Sequence, residues 1–480
     1  MGDKRHWSVS WVAELLVVVL LLAAGLSYWF DLGERWFGWE SADPRTEPAA
    51  VQPPEGLRLP PAELAGSVAT ADAADEVDPA LLAARIQPML RPRTLGRHYT
   101  VLVTDLATGR PLFRQGAAAV TPASTTKLLS GAAALESLGP MTTFRTTVRR
   151  VPGTNQVILV GGGDPFLVSS PRRGAALYPE RADIRTLARR TAAELRERGL
   201  SQVRLSFDDS YFTGPGVNPA WPDDYVPDGV VPPIGALWVD QGQSDSGFGY
   251  VDDPAADAAA DFAVALRGAG VRVRPRVVRR VTPPAAEEVA VVSSAPLGEI
   301  VERTLEVSDN QAAEVLTRHV GLAERQQGSF TAGSAAVLDV LAGLGVPIEG
   351  TRLYDGSGLS RRNVVTPAAL TGVIRLAASE EHPDLRQLIT GLPVAGFTGS
   401  LQLRFDRGPD EARGRVRAKT GTLSGVHGLA GVAEDVGGGR MAFAVVADRV
   451  PMAKTLDARL LIDRIAGRLA ACRCGVGSAP

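Results

Sequence analysis

The chain has 480 residues, 45% of them hydrophobic, with 51 basic against 53 acidic side chains and a formal net charge of −2. So even a balance gives no reason to expect nucleic acid or another polyanion as partner, and the composition excludes low-complexity and collagen-like chains. The length exceeds the roughly 250 to 300 residues at which one core stops growing, so two domains with additional segments are expected.

Lys4, Arg5 and His6 precede an apolar stretch over residues 11–30, interrupted by Glu14 and Ser27 and followed by Asp31 and Glu34. This is the pattern of an export signal that leaves the N-terminus in the cytoplasm and the rest of the chain outside. It reads either as a cleaved signal sequence or as a retained membrane anchor. The lack of an A-x-A site and the interface-suited Tyr28, Trp29, Trp36, Phe37 and Trp39 favour the anchor. Residues 31–79, rich in Pro and Ala without periodicity, read as a solvated linker.

Beyond the linker, Tyr99 to Asp105 alternates as a strand does, Thr108-Gly109 supplies a turn, and Pro111 to Arg114 returns as the second half of a hairpin. Residues 124–138, rich in Ala and Leu and ended by Gly139-Pro140, predict a helix. A second hairpin spans Thr143 to Val160, and Gly161 to Pro165 reads as a turn because no G-x-G-x-x-G completes a phosphate loop. Residues 183–198 form an amphipathic helix on Ile184, Leu187, Ala188 and Leu195, and 213–254 is a long irregular segment of the kind that often carries function. A strand then begins near Val289. Helices follow near 297–305, 309–321, 330–343 and 367–378, strands near 415–419, 427–433 and 441–447, and a last helix over 454–470. The fold class is therefore α/β (α+β): residues 80–144 plus 285–471 form one domain, interrupted by an inserted domain over 145–284.

The basic residues divide into 47 Arg and only four Lys. An amine can lose its proton where its surroundings demand it, and guanidinium cannot, so each Lys merits inspection. Lys127 stands three residues after Ser124, on one face of the predicted helix, which brings an amine to a hydroxyl. A Ser hydroxyl is a poor nucleophile until a base takes its proton, and a Lys disfavoured as ammonium by burial or another cation can be that base. S-x-x-K alone is weak, since 26 Ser and four Lys predict about 0.2 chance matches, and an exposed Lys on a Ser-capped helix is the plain alternative. Ser308-Asp309-Asn310 is the only S-x-N and Lys419-Thr420-Gly421 the only K-T-G in the chain, the latter expected by chance about 0.03 times. The three together are a strong signal. Ser308 and Asn310 fall at a helix junction, where capping is the ordinary role, and K-T-G ends a strand, where it can line the edge of a cleft. Five scattered His and a Cys472/Cys474 pair too close for an ordinary loop-closing bridge show no metal-ligand spacing, so neither a protein-held metal nor a cofactor is expected.

S-x-x-K, S-D-N and K-T-G are the motif set of penicillin-binding proteins and class A β-lactamases. Residues 80 to 470 resemble the class C type-four penicillin-binding proteins, the D-alanyl-D-alanine carboxypeptidases and endopeptidases of peptidase family S13. Gly161 to Pro165, the run from Trp221 to Asp224, the run from Asp355 to Arg361, Leu392 to Gly396 and the large insert all look like segments of that family. The resemblance implies a penicillin-recognising, transpeptidase-like domain, an antiparallel sheet with flanking helices. It implies that Ser124 attacks the penultimate D-Ala carbonyl, Lys127 takes its proton, Ser308 relays a proton to the leaving amine, Lys419 tunes the field, and Asn310 holds the substrate amide. Backbone N–H groups of Ser124 and Thr422 would form the oxyanion hole, with Thr420, Gly421 and Thr422 along the substrate and the two threonines on its terminal carboxylate. Trp221, Asp224, Arg361, Leu423 and Ser424 would receive the free end of diaminopimelate, although a packed Trp221 and a turn-forming Asp224 are the plain alternatives. The partners implied are peptidoglycan stem peptides ending in D-Ala-D-Ala, β-lactams as covalent inhibitors, and a membrane through the N-terminal segment. A β-lactamase and a non-catalytic peptidoglycan-binding scaffold are the rival readings. A Ser-His-Asp hydrolase is weaker, because there is no G-x-S-x-G.

Overall fold

The computed structural model describes residues 76–90, 93–171, 177–244 and 246–475; the expected N-terminal anchor and most of the linker lie outside them. The elements in chain order are α1 (Pro79–Leu90), β1 (Tyr99–Asp105), β2 (Pro111–Gly116), α2 (Lys127–Leu138), β3 (Arg145–Arg150), β4 (Gln156–Val160), α3 (Ile184–Glu197), β5 (Gln202–Asp208), α4 (Pro254–Gly268), β6 (Arg272–Val273), β7 (Val278–Arg279) and β8 (Glu287–Ser293). Helices α5 (Leu297–Glu306), α6 (Asn310–Arg325), α7 (Phe330–Gly343), α8 (Pro367–Ala378) and α9 (Gln387–Thr390) precede β9 (Val416–Leu423), β10 (Val426–Glu434), β11 (Arg440–Ala447) and α10 (Thr455–Ala470). Among the described residues no helix is long and apolar enough to cross a membrane.

Strands from the two ends of the chain make one antiparallel sheet in the order β2-β1-β11-β10-β9. The two-residue period of β11 explains how it serves two cores at once. Met441, Phe443 and Val445 face α1 and α10, while Ala442, Ala444 and Val446 face α2 and α8. The small side chains on the second face let α2 lie close to the sheet, and α2 is buried along its first nine residues. The predicted 124–138 helix is divided: Ala123–Thr126 is a 3-10 turn, and the α-helix starts at Lys127.

The second sheet runs β6-β5-β4-β3-β8, with β7 beside β5, and mixes antiparallel (β3–β4, β3–β8) with parallel (β4–β5) pairs. Helices α3 and α4 bury Leu187, Leu195, Phe262 and Leu266 against it. The strand expected near Val289 joins this sheet, pairing Arg145 with Ser293 through Arg150 with Glu287. A strand expected within the 285–471 segment thus pairs with β3 of the second sheet, because period-two hydrophobicity marks a strand without naming its neighbour. The irregular segment closes over a smaller core of Phe212, Trp221, Ile234 and Trp238 that leans on Val315 of α6 and Phe330 of α7. Gly161 to Pro165 is a packed turn: a Cβ on Gly161 would meet the Ala236 carbonyl at 2.4 Å. Cys472 and Cys474, given no role from their spacing, form a disulfide whose Cα atoms stand 5.2 Å apart, inside the ordinary range.

Leu135 on α2 is fully buried between the helices and the sheet. Leu135→Ala should lower unfolding free energy by about 3 kcal/mol, the usual cost of such a core cavity. Urea titration monitored by circular dichroism measures it.

Candidate active site

Ser124 sits in the 3-10 turn ahead of α2, in a conformation fixed by its neighbours. Thr125 Oγ1 donates to the Pro122 carbonyl and Thr126 Oγ1 to the Ala123 carbonyl, each at 2.8 Å, and Ala123 itself is held at a φ of +48°. Lys127, 1% exposed, folds back on this turn. Its Nζ reaches Ser124 Oγ at 2.9 Å, Asn310 Oδ1 at 2.7 Å and the Ser357 carbonyl at 2.7 Å.

Asn310 Oδ1 and the Ser357 carbonyl can only accept, so Lys127 donates to both, and its third contact is with the Ser124 hydroxyl, which can accept or donate. Burial pushes the Lys127 amine down to about 8, while Glu314, Asp355 and Asp309 pull it back toward the ammonium. Lys419, also fully buried, is held well below the usual lysine range by burial, by Lys127 and by Arg404. The two lysines of the motifs therefore share one crevice.

Asn310 opens α6, and the residue before it supplies the expected cap: Asp309 accepts the Ala312 N–H at 2.8 Å. Gln241, from the irregular segment, donates to both oxygens of Asp309 at 3.0 and 2.9 Å. Ser308 is held at a φ of +63°, a conformation costing about 1 to 3 kcal/mol and kept only where the surroundings impose it.

K-T-G lies on β9 at the margin of the sheet. The outer side of this strand is covered near its start, where Ala395 N donates to Val416 O and Ala418 N to Pro393 O, each at 2.9 Å. Among the described residues no strand pairs with the outer side of Lys419–Leu423, which runs beside the Ser124 turn. A Cβ on Gly421 would meet the Pro122 carbonyl at 2.6 Å, so glycine is required for this approach.

The sequence reading missed the third wall. The Asp355–Gly358 loop threads between α6 and the Ser124 turn. A Cβ on Gly356 would lie 1.7 Å from Thr317 Oγ1, and one on Gly358 would lie 1.9 Å from the Ala123 carbonyl. This loop brings the Ser357 carbonyl to Lys127, and a main-chain acceptor leaves no trace in side-chain identity. The glycine spacing was the available signal.

The side-chain pocket is built only in part as expected. Trp221 is 5% exposed, packs edge-on against Phe330, and donates its Nε1 to Asp355 at 2.8 Å, so its indole N–H belongs to the protein rather than to a ligand. Thr420 is buried, with its hydroxyl 2.9 Å from Ser400 Oγ, a neighbour from which it can accept while keeping its own O–H to donate. Asp224, Arg361, Thr422 and Ser424 are exposed and Leu423 is half-buried. Arg361 donates to the Ser424 carbonyl at 2.9 Å and hydrogen-bonds the Tyr225 hydroxyl, a neighbour the sequence reading did not name.

A hydroxyl beside a buried amine, at the margin of an antiparallel sheet with flanking helices, defines a serine acyl-transfer enzyme of the penicillin-recognising fold. Residues 82–248 and 247–470 match the D-Ala-D-Ala carboxypeptidase 3 (S13) family. The chain is 34% identical to the carboxypeptidase DacB of Mycolicibacterium smegmatis over 97% of its length and 96% of the relative's. It is 31% identical to the D-alanyl-D-alanine carboxypeptidase of an Actinomadura species over 72% of its length and 77% of the relative's. Its fold matches the crystal structure of penicillin-binding protein 4 from Haemophilus influenzae with a TM-score of 0.66 at 21% identity, covering 81% of this chain and 98% of that one. The chain belongs to the D-Ala-D-Ala carboxypeptidase 3 (S13) family and is a serine-type D-Ala-D-Ala carboxypeptidase. Family membership sets aside the β-lactamase and scaffold alternatives.

Gly421→Ala should force β9 away from the Pro122 carbonyl and slow acylation by a labelled penicillin by about 100-fold, the usual consequence of an ångström-scale misplacement. Stopped-flow acylation kinetics, with a melting curve to establish folding, check this.

Proposed function

We propose that Ser124 is the nucleophile and Lys127 its general base, in hydrolysis of D-Ala-D-Ala ends on peptidoglycan stem peptides. The observation that carries this reading is the Lys127 Nζ at 2.9 Å from Ser124 Oγ with its other two contacts on obligate acceptors. Lys127 takes the hydroxyl proton as Oγ bonds to the penultimate D-Ala carbonyl carbon. Ser308 passes a proton to the nitrogen of the terminal D-Ala as the C–N bond breaks, and an ester to Ser124 remains. Water then attacks the ester and regenerates the hydroxyl. Asn310 holds both the base and the substrate amide, and Lys419, near enough to Lys127 for its own ammonium to be disfavoured by it, tunes the field of the site. The uncovered edge of β9 supports binding of the substrate backbone as an added strand, with Thr422 at the oxyanion hole.

The same cleft accommodates D-Ala-diaminopimelate cross-links, which makes endopeptidase action part of the proposal. Exposed Asp224 and Arg361 suit the ammonium and carboxylate of a diaminopimelate end, with Leu423 and Ser424 beside them. β-Lactams acylate Ser124 as mimics of the substrate. Such a substrate puts the enzyme on the outer side of the cytoplasmic membrane, delivered there by its N-terminal segment as anchor or signal.

A labelled penicillin should modify Ser124, as mapped by mass spectrometry, and Ser124→Ala should release no D-Ala from a pentapeptide. The acylation rate should rise with pH through about 8, because the free amine of Lys127 forms as its proton leaves; below that point it should fall about tenfold per pH unit. Asp224→Ala should reduce kcat/KM for a diaminopimelate-containing peptide about tenfold while leaving a simple acyl-D-Ala-D-Ala substrate within twofold. Equal losses on both substrates would remove the pocket assignment.

A further inference from the structure

Glu314 lies one helical turn after Asn310 on α6 and is fully buried, an unusual place for a carboxyl group. Its oxygens accept the Ser357 N–H at 2.8 Å and the Gly356 N–H at 3.1 and 3.2 Å. The carbonyl of that same Ser357 accepts from Lys127 Nζ at 2.7 Å. One helix therefore grips the amine twice, directly through Asn310 and, a turn later, through the peptide that Glu314 holds. The Ser357 hydroxyl donates to Glu314 as well, and these hydroxyl and main-chain donors together favour the ionised carboxylate.

Three charged groups surround it. Asp355, on the loop, is engaged by the N–H groups of Gly358 and Ser360, by Asn363 Nδ2 and by Trp221 Nε1, so it offers Glu314 no bond. Arg318, one turn further along α6, is directed at the Pro215 carbonyl and the ring of Phe330. Lys127, from α2, is the remaining cation, and Glu314 is the foremost of the carboxylates that favour its ammonium form. Burial and the neighbouring Asp355 push the Glu314 carboxyl above its ordinary range, while the Ser357 hydroxyl and the Ser357 and Gly356 N–H groups pull it back toward the carboxylate.

We propose that Glu314 is a positioning residue for the general base: its carboxylate fixes the Ser357 carbonyl against Lys127 and supplies the negative charge that governs how tightly the buried amine holds its proton. The inference rests on Lys127 acting as base toward Ser124. Two properties follow, and they separate. Removing the charge at constant size disfavours the ammonium, so the free base persists to lower pH. Keeping the charge but shortening the side chain loosens the Ser357 peptide, which lowers the rate without moving the titration.

The experiment is acylation of the full chain by a labelled penicillin between pH 5 and 10, with the adduct mapped at each variant. In Glu314→Gln the acid limb of the rate profile should move about one unit toward lower pH. In Glu314→Asp the limb should stay in place while the plateau rate falls about tenfold. A Gln variant whose limb coincides with wild type overturns the electrostatic role, and an Asp variant at the wild-type plateau overturns the clamp. Either variant decides alone if the other does not fold. A purely structural Glu314 would reduce the amount of folded protein and leave both the limb and the plateau per folded molecule unchanged. A wild-type adduct at a residue other than Ser124 would overturn the underlying reading as well, which distinguishes the two failures.

Discussion

A buried primary amine has to place its hydrogens somewhere, and that constraint organises the centre of this protein. Lys127 donates to Asn310 Oδ1 and to the Ser357 carbonyl, which can only accept, and its remaining contact is with the Ser124 hydroxyl. Each partner comes from a different segment: the 3-10 turn before α2, the start of α6, and the loop after α7. Their convergence fixes how the helices sit against one another. Desolvation then tunes the amine, since burial penalises the ammonium and lowers the Lys127 pKa to about 8.

Close approach of backbone to backbone is the second requirement. Two segments close around the Ser124 turn through three glycines: Gly421 on β9 against the Pro122 carbonyl, and on one loop Gly358 against the Ala123 carbonyl and Gly356 against Thr317. A methyl group at any of them would separate the walls. Left-handed backbone occurs at Ala123 and Ser308 beside the site and at Asp240 and Gln241 in the segment that reaches across to it, as well as at Gln326, which ends α6, and at Phe405. Through Gln241 the inserted part of the chain touches the second motif directly, by the pair of contacts to Asp309. The insert therefore helps hold the loop that carries Ser308.

The sheet explains why the cleft is open where it is. β9 is the last strand, its outer side is covered at Val416–Ala418 by residues 393–395, and beyond Lys419 it faces the Ser124 turn. An uncovered strand edge is a hazard in most proteins, and here it lies beside the Ser124 turn, where Gly421 approaches the Pro122 carbonyl.

Much of this was legible in the sequence because helices and strands announce themselves by local periodicity. The hairpin at Tyr99–Gly116, helices α3 and α5 to α8, and strands β9 to β11 lie close to their expected positions, and Lys127 of the first motif contacts Asn310 of the second. Helix α1, strand β5 and helix α4 carried no expectation: α4 is alanine-rich and buried over a wide face, which blurs the polar side of its pattern. The allegiance of β8 to the second sheet, the burial of Trp221 on Asp355, the Thr420–Ser400 contact and the Ser357 carbonyl at Lys127 are long-range facts. Residue order determined which chemical groups exist and which elements carry them, since those depend on neighbours a few positions away. Tertiary structure alone decided which groups face one another, because desolvation and hydrogen-bond partners are properties of contacts hundreds of residues apart in the chain.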